Sequence, residues 1–455
     1  MKKKIKFFAT IIGVFIFGVS IASAQGLAGI VGKLNNLEKR LDALENVRKK
    51  PGLEKSVAKN NQAISKIKKS IDELKADGKT SGKEIKIVTG LTDDLRGLVQ
   101  ELKSVIDENA LKEKKDMKIK PKQPVSLYGY VKLDASYDEK NIDLGNFPRW
   151  VNPGGDDGAR FNMTARQTRF GLNINSAEEK NVETSGKIEV DFYGGGAENK
   201  NLLLLRYSFM KIYFPNTDFS ILAGQTSDII SPLVPSTVNY VVGWWAGNIG
   251  YRRPQVRIAK GLRVSEKSSL LVELAVARSI GGEKAGLPSF QGRSSISFLL
   301  FSKHKTIIGL SGHSGKEEND SRTWSANVDV VFPISNELIL KGEYWQGENL
   351  DAYLGGIGQG LNDGLEITGC GGWVSLSAGP FTDWHFNFGK SIDDPDDERL
   401  APGMRSYNSS TFGNVFYSLN QAVKIGTEIS RWDTKYKEAE DQNSYRLQFT
   451  MIYIF

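Results

Sequence analysis

The chain has 455 residues, a formal net charge of +7 and a hydrophobic fraction of 40%. A single cysteine, Cys370, excludes an intramolecular disulfide and a cysteine-based zinc site, and three histidines (His304, His313, His385) leave little for a metal cluster. After residue 24 no run approaches the ~18 apolar residues of a membrane helix, which leaves room for a membrane protein built from strands.

The basic excess is local. Residues 2–6 hold four lysines; residues 25–120 hold 22 basic and 15 acidic residues; residues 121–455 hold 34 and 38. The basic stretch lacks the aromatic residues of a nucleic-acid face, so a solvated helical surface is expected and nucleic acid is not a partner.

Residues 1–24 read as a cleaved signal peptide. Lys2, Lys3, Lys4 and Lys6 precede an apolar run from Phe7 to Ile21, and Ala22-Ser23-Ala24 is a small-residue cleavage site. From Leu27 the apolar spacing becomes three and four: Leu27, Ile30, Leu34, Leu37, Leu41, Leu44. It breaks at Pro51-Gly52 and near Gly78 and Gly82, and returns through Leu91, Leu95, Leu98 and Leu102. Such a repeat gives each helix a narrow apolar seam that must be buried against another helix. A coiled coil over 25–120 is expected, in the periplasm. Ile64, Ile67 and Ile71 favour three or more strands, and a hairpin folded back at Pro51 or Gly78 is the alternative.

From 121 to 455 the period changes to two. In the last twelve residues Tyr445, Leu447, Phe449, Met451, Tyr453 and Phe455 share one face, while Ser444, Arg446, Gln448 and Thr450 share the other. Apolar on one side and polar on the other, ending in an aromatic residue, this resembles the terminal strand read by the outer-membrane assembly machinery, with Tyr453 and Phe455 as its signal. The pattern recurs in segments 126–137, 163–175, 182–193, 202–213, 218–226, 252–260, 268–278, 292–302, 304–314, 322–334, 337–347, 365–378, 381–390, 409–419, 422–432 and 444–455. Short turns alternate with longer loops. The fold class predicted is therefore an all-β transmembrane barrel of about 16 antiparallel strands, with an N-terminal α-helical coiled coil; a barrel of this size leaves an aqueous channel. The third long loop, about 227–251, carries Ile229, Ile230, Pro232, Leu233, Val234, Pro235, Trp244 and Trp245. It is too apolar to project into water and is expected to fold into the barrel.

The segments SLYGYVKLDASYD (126–138), ARQTRFGL (165–172), GQTSDIISPLVPSTVN (224–239), YRRPQVRI (251–258) and DDPDDERLAPGMRSYNSS (393–410) resemble, in order and spacing, the DcaP-like trimeric porins. The resemblance covers roughly 126–455. It implies sixteen strands, three barrels per unit, the third loop as a constriction, and uptake of small, often anionic, organic solutes.

Strand parity puts Arg169, Arg253 and Arg257 on the lumen face, with Arg206 beside them. Lys132, Glu189, Asp191 and, on the third loop, Asp228 complete the expected solute path. Arginine keeps its charge and offers a planar fork to carboxylates and phosphates. Parity equally allows each arginine to pair with a lumen carboxylate. The expected function is a passive diffusion channel for small hydrophilic solutes that favours small organic anions such as dicarboxylates. The alternatives are a tether between outer membrane and cell wall, and a barrel enzyme. His313-Ser314 near Asp320 is the only arrangement that invites the enzyme reading, and nothing around it resembles a nucleophile motif. No catalytic residue, metal or cofactor is expected. The expected partners are other copies of the chain in a homotrimer, outer-membrane lipid and lipopolysaccharide, small solutes, and peptidoglycan. The expected location is the cell outer membrane.

Overall fold

The computed structural model describes residues 124–154, 158–175, 181–195, 200–279, 282–317 and 320–455. The signal peptide and coiled coil expected over 1–120 lie outside the described residues.

The chain crosses back and forth in sixteen antiparallel strands: β1 Val125–Asp138, β2 Arg160–Thr164 continued by Arg169–Asn175, β3 Glu183–Asp191, β4 Leu204–Phe214, β5 Phe219–Ser227, β6 Arg252–Arg263, β7 Ser268–Ala277 and β8 Ser289–Leu299; then β9 Lys305–Lys316, β10 Arg322–Pro333, β11 Leu338–Glu348, β12 Thr368–Phe381, β13 Trp384–Pro395, β14 Arg405–Ser418, β15 Val423–Tyr436 and β16 Gln442–Ile454. Each strand pairs with its sequence neighbour, and β16 pairs back onto β1 from Tyr130↔Ile454 to Asp138↔Arg446. The sheet is a closed barrel without free edges. The two pieces of β2 pair with one strand, β1, so the break at Ala165–Thr168 is an interruption of a single crossing.

Every predicted segment has its strand. The differences are in the ends: β13 and β14 run several residues further toward the long-loop end than their apolar alternation does. There the outward positions carry Asp394 and Tyr407 in place of aliphatic residues, so the alternation fades while hydrogen bonding continues.

Alternation sorts the side chains by face. Leu127, Val131, Leu133, Val256, Leu274, Leu310, Phe388, Ile429, Leu447 and Tyr453 lie on the outer wall and are exposed. Lys132, Asp134, Asp191, Asp329, Glu343, Glu428, Arg446 and Gln448 face inward. An apolar exterior around a charged interior inverts the arrangement of a water-soluble protein, and suits lipid outside and polar surroundings within. The connections also divide: turns such as Pro215–Thr217 at one end, long loops at the other, including 139–159, 228–251 and 349–367.

The barrel closes at the chain terminus. The Phe455 N–H donates to Gly129 O and the Gly129 N–H to Phe455 O, both at 3.0 Å. A Cβ on residue 129 would meet the Arg169 carbonyl oxygen at 2.3 Å, so only glycine lets β1 and β2 approach this closely. Phe455→Ser removes the last apolar contact of this seam. It is expected to lower severalfold the yield of heat-modifiable, folded barrel recovered from membranes, without lowering total secreted protein; equal yields of folded barrel would contradict the seam's importance.

Candidate pore constriction

The inner loop, residues 228–251, starts where β5 ends and returns into β6. Irregular backbone inside a barrel cannot use a sheet ladder, so its polar groups need partners from the wall. Asp228 joins the two ends. Its backbone N–H donates to Tyr251 O at 2.8 Å, and its Oδ2 accepts from the Tyr251 N–H at 2.9 Å. Its Oδ1 accepts from Gln291 Nε2 at 2.7 Å and lies 2.9 Å from Arg253 Nε.

Along its course the loop is held by lumen carboxylates and by wall amides: Gln291 Oε1 accepts from the Ile229 N–H, and Asn414 Nδ2 and Asn408 Nδ2 donate to Ser236 O and Trp245 O. Glu343 Oε1 accepts from the Leu233 N–H and Oε2 from Trp373 Nε1, at 2.7 and 3.0 Å. Glu428 Oε2 accepts from the Val238 N–H at 2.7 Å and from Asn414 Nδ2 at 2.9 Å, while Oε1 accepts from Asn239. Asp191 Oδ2 accepts from the Tyr240 hydroxyl at 2.9 Å. On the return limb Trp345 Nε1 donates to Gly247 O at 2.8 Å.

The apolar residues that the sequence placed in this loop form small cores within the barrel. Ile230 and Ile249 pack with Trp345, Leu350 and Tyr353. Tyr240, Val241 and Trp244 pack with Phe147, Tyr193, Trp245 and Leu354. Tyr193 and Tyr240 stack with ring centroids 3.9 Å apart. Beside this stack, against β1, β2 and β16, a polar cavity of about 10 Å³ remains, lined in part by Asp134, Gln167, Arg446 and Gln448. It has room for about one water.

The sequence-predicted residues fall into two groups. Arg206, Arg253, Lys132, Asp228, Glu189 and Asp191 are buried against the loop or its supports. Arg206 reaches Glu189 Oε1 at 2.8 Å and Asp191 Oδ2 at 2.6 Å, and donates to the Tyr240 hydroxyl at 3.1 Å. It owes this reach to a bulge: Glu189 pairs with Tyr207 and Val190 with Leu205, which leaves Arg206 as the extra residue. Lys132 Nζ donates to Val238 O at 2.9 Å and to Gln167, and lies 3.2 Å from Asp134. Arg253 lies beneath the loops, its side chain only 4% exposed.

Arg169 and Arg257 keep part of their surface open. Arg169 lies 3.6 Å from Glu189 and over the Tyr130 ring. Arg257 lies 3.6 Å from Glu273 and donates to Ser227 O at 2.5 Å. Each of the four arginines therefore has a lumen carboxylate nearby, the arrangement parity alone left open. Lys187, on the inward face of β3, is more exposed than either Arg169 or Arg257, at 30% against 20% and 17%, and lies 3.6 Å from Glu189. The carboxylates beside them are more covered: 14% for Glu273, 4% for Glu189, 1% for Asp228 and 0% for Asp191.

His313 is a packing residue. Its ring nitrogens bond Ser325 Oγ at 2.7 Å and Thr323 Oγ1 at 3.0 Å, its face stacks on Tyr353, and Asp320 pairs with Lys316 instead.

Among solved structures, the outer membrane channel DcaP of Acinetobacter baumannii matches with a TM-score of 0.59 at 18% identity, over 73% of this chain and 97% of that one. The fold is that of a DcaP-like porin. An anion-selective porin from Comamonas acidovorans matches this DcaP-like barrel with a TM-score of 0.50 at 11% identity, over 73% and 100% of the two chains. The trimer form of OmpT, an outer membrane protein of Vibrio cholerae, matches with a TM-score of 0.50 at 10% identity, over 73% and 99%. No protein-family model matches the chain, and none of the curated proteins matches it in sequence.

In this DcaP-like barrel the ends of the inner loop depend on Asp228. Asp228→Ala removes the carboxylate that lies 2.9 Å from the buried Arg253, a loss of about 3 kcal/mol locally. Hydrogen exchange of residues 228–251 is expected to accelerate about a hundredfold while the strand amides stay protected. Unchanged protection of the loop would show that Asp228 does not hold it.

Proposed function

We propose that this protein is an outer-membrane porin, a passive diffusion channel for small hydrophilic solutes with a preference for small organic anions. The observation that carries this reading is the unequal exposure of lumen charges. The inner loop covers the wall carboxylates with its own N–H and O–H donors, as at Glu343, Glu428 and Asp191. Lys187, Arg169 and Arg257 stay more open than the acidic residues beside them. A solute passing this wall meets cations first, and cationic side chains lining a pore favour anions. Lys132, Arg206, Arg253, Asp228, Glu189 and Asp191 belong to the same path as the groups that hold wall and loop in place.

The apolar outer wall and the aromatic terminal strand support insertion in the outer membrane, with lipid and lipopolysaccharide around the barrel and Tyr453 and Phe455 acting in assembly. Residues 1–24 serve as the export signal. Residues 25–120 form a periplasmic coiled coil that joins three copies and extends toward peptidoglycan, and residues 121–455 form the porin domain. The isoleucine-rich seam supports the homotrimer, since such a helix cannot bury its seam alone.

The test is the reversal potential across a bilayer with a salt gradient. The wild type is expected to be mildly anion-selective. Lys187→Ala combined with Arg169→Ala and Arg257→Ala is expected to shift the anion-to-cation permeability ratio about threefold toward cations, the effect of removing partly screened charges. Cation preference in the wild type, or no shift in the triple variant, would overturn the anion preference while leaving the channel.

A further inference from the structure

Loop 349–367 lies on the inner loop, and its conformation combines firm contacts with built-in costs. The contacts centre on Tyr353, which is fully buried. Its ring sits between the Arg253 guanidinium, 4.0 Å from the ring centroid, and the His313 imidazole at 3.9 Å. Its hydroxyl lies 2.7 Å from Ser289 Oγ. Two carbonyls of this segment accept from the return limb of the inner loop: Tyr353 O from the Gly250 N–H at 2.8 Å, and Leu354 O from the Trp245 N–H at 2.7 Å.

The costs lie a few residues on. Ile357, β-branched and fully buried, is in the left-handed region at φ 51°, ψ 35°, and Leu354 is there too at φ 65°, ψ 26°. Such backbone persists only where its surroundings hold it. Beneath Ile357 lies Asp393, which is fully buried. Its Oδ2 accepts a long hydrogen bond, 3.4 Å, from the Ile357 N–H, and its Oδ1 has no hydrogen-bond partner among the described residues. The nearby Arg405 donates to Ile357 O at 3.0 Å rather than pairing with the carboxylate. A carboxyl group fully buried with one oxygen unbonded is unfavourable. Lifting the loop would hydrate Asp393 and release both left-handed residues.

We propose that loop 349–367 is a strained lid held shut by Tyr353, and that its opening frees the inner loop and widens the passage. This rests on the channel reading above. The link to the passage runs through the inner loop: Leu354 packs on its Tyr240, Val241 and Trp244 cluster, and the Tyr240 hydroxyl accepts from Arg206, which pairs with the Glu189 carboxylate that Arg169 and Lys187 also flank.

Two variants of the full chain push the lid in opposite directions. Tyr353→Ala removes the stacking and the hydroxyl contact, and is expected to raise the open-to-closed ratio about tenfold. Asp393→Asn keeps an acceptor for the Ile357 N–H and removes the carboxyl group that opening would hydrate, so it is expected to lower that ratio by a similar factor. Hydrogen exchange of residues 349–367 in detergent reads the lid, and single-channel current in bilayers reads the passage. Faster exchange and a higher open fraction in Tyr353→Ala, with slower exchange and a lower open fraction in Asp393→Asn, is the expected result. Unchanged exchange in both, or acceleration in both, overturns the lid. If Tyr353→Ala fails to assemble, Asp393→Asn decides alone: slower exchange supports the lid and faster or equal exchange overturns it. Lid exchange that moves as expected, with no current in any version, supports the lid and overturns the channel.

Discussion

A loop that enters a barrel needs hydrogen-bond partners for its own backbone, and here carboxylates of the wall supply two of them, beside the amides of Gln291, Asn408 and Asn414. Leu233 and Val238 donate their N–H groups to Glu343 and Glu428, and Tyr251 donates to Asp228 at the loop's root. Carboxylates suit this task because each oxygen accepts more than one bond, so one side chain can hold both loop and wall. Glu428 does so, accepting from Val238 and Asn239 of the loop and from Asn414 of the adjacent strand. Hydrogen bonds to a charged acceptor are also stronger than neutral ones.

The electrostatic character of the passage follows from this constraint. The wall region is slightly acidic in total, yet its acidic groups are occupied with the loop and with neighbouring arginines. What a passing solute meets depends on which groups remain uncovered, and total charge is a poor guide to that. Arg206 and Arg253 illustrate the cost on the cationic side: both lie against carboxylates under the loop and act as struts. Lys187, placed toward the short-turn half of the barrel, lies 3.6 Å from Glu189 and is more open than either.

The period-two pattern made the barrel legible, because faces alternate strictly and the lumen differs so sharply from lipid. It also marked the inner loop, since Ile229, Ile230, Trp244 and Trp245 had no reason to face water. Parity could assign Arg169, Arg253 and Arg257 to the lumen, but a face says nothing about depth or cover. Arg253 and Arg257 are two alternations apart on one strand, yet only the first lies beneath loop 349–367. Arg206 reaches its carboxylates through a bulge that alternation does not reveal. The left-handed conformations of Leu354 and Ile357 were also hidden, because neither residue type favours them and only the packing around Tyr353 imposes them. The grip of Glu343 and Glu428 depends on long-range contacts between loop and wall, for which local sequence carries no signal.

The central claim is that wall carboxylates hold the inner loop across the channel. Single-channel conductance of the combined Glu343→Ala, Glu428→Ala variant tests it most directly. If these side chains hold the loop, removing them lets it swing from the lumen, and conductance should rise severalfold with larger fluctuations while the barrel stays folded. Conductance equal to wild type from a folded double-variant barrel would contradict the account.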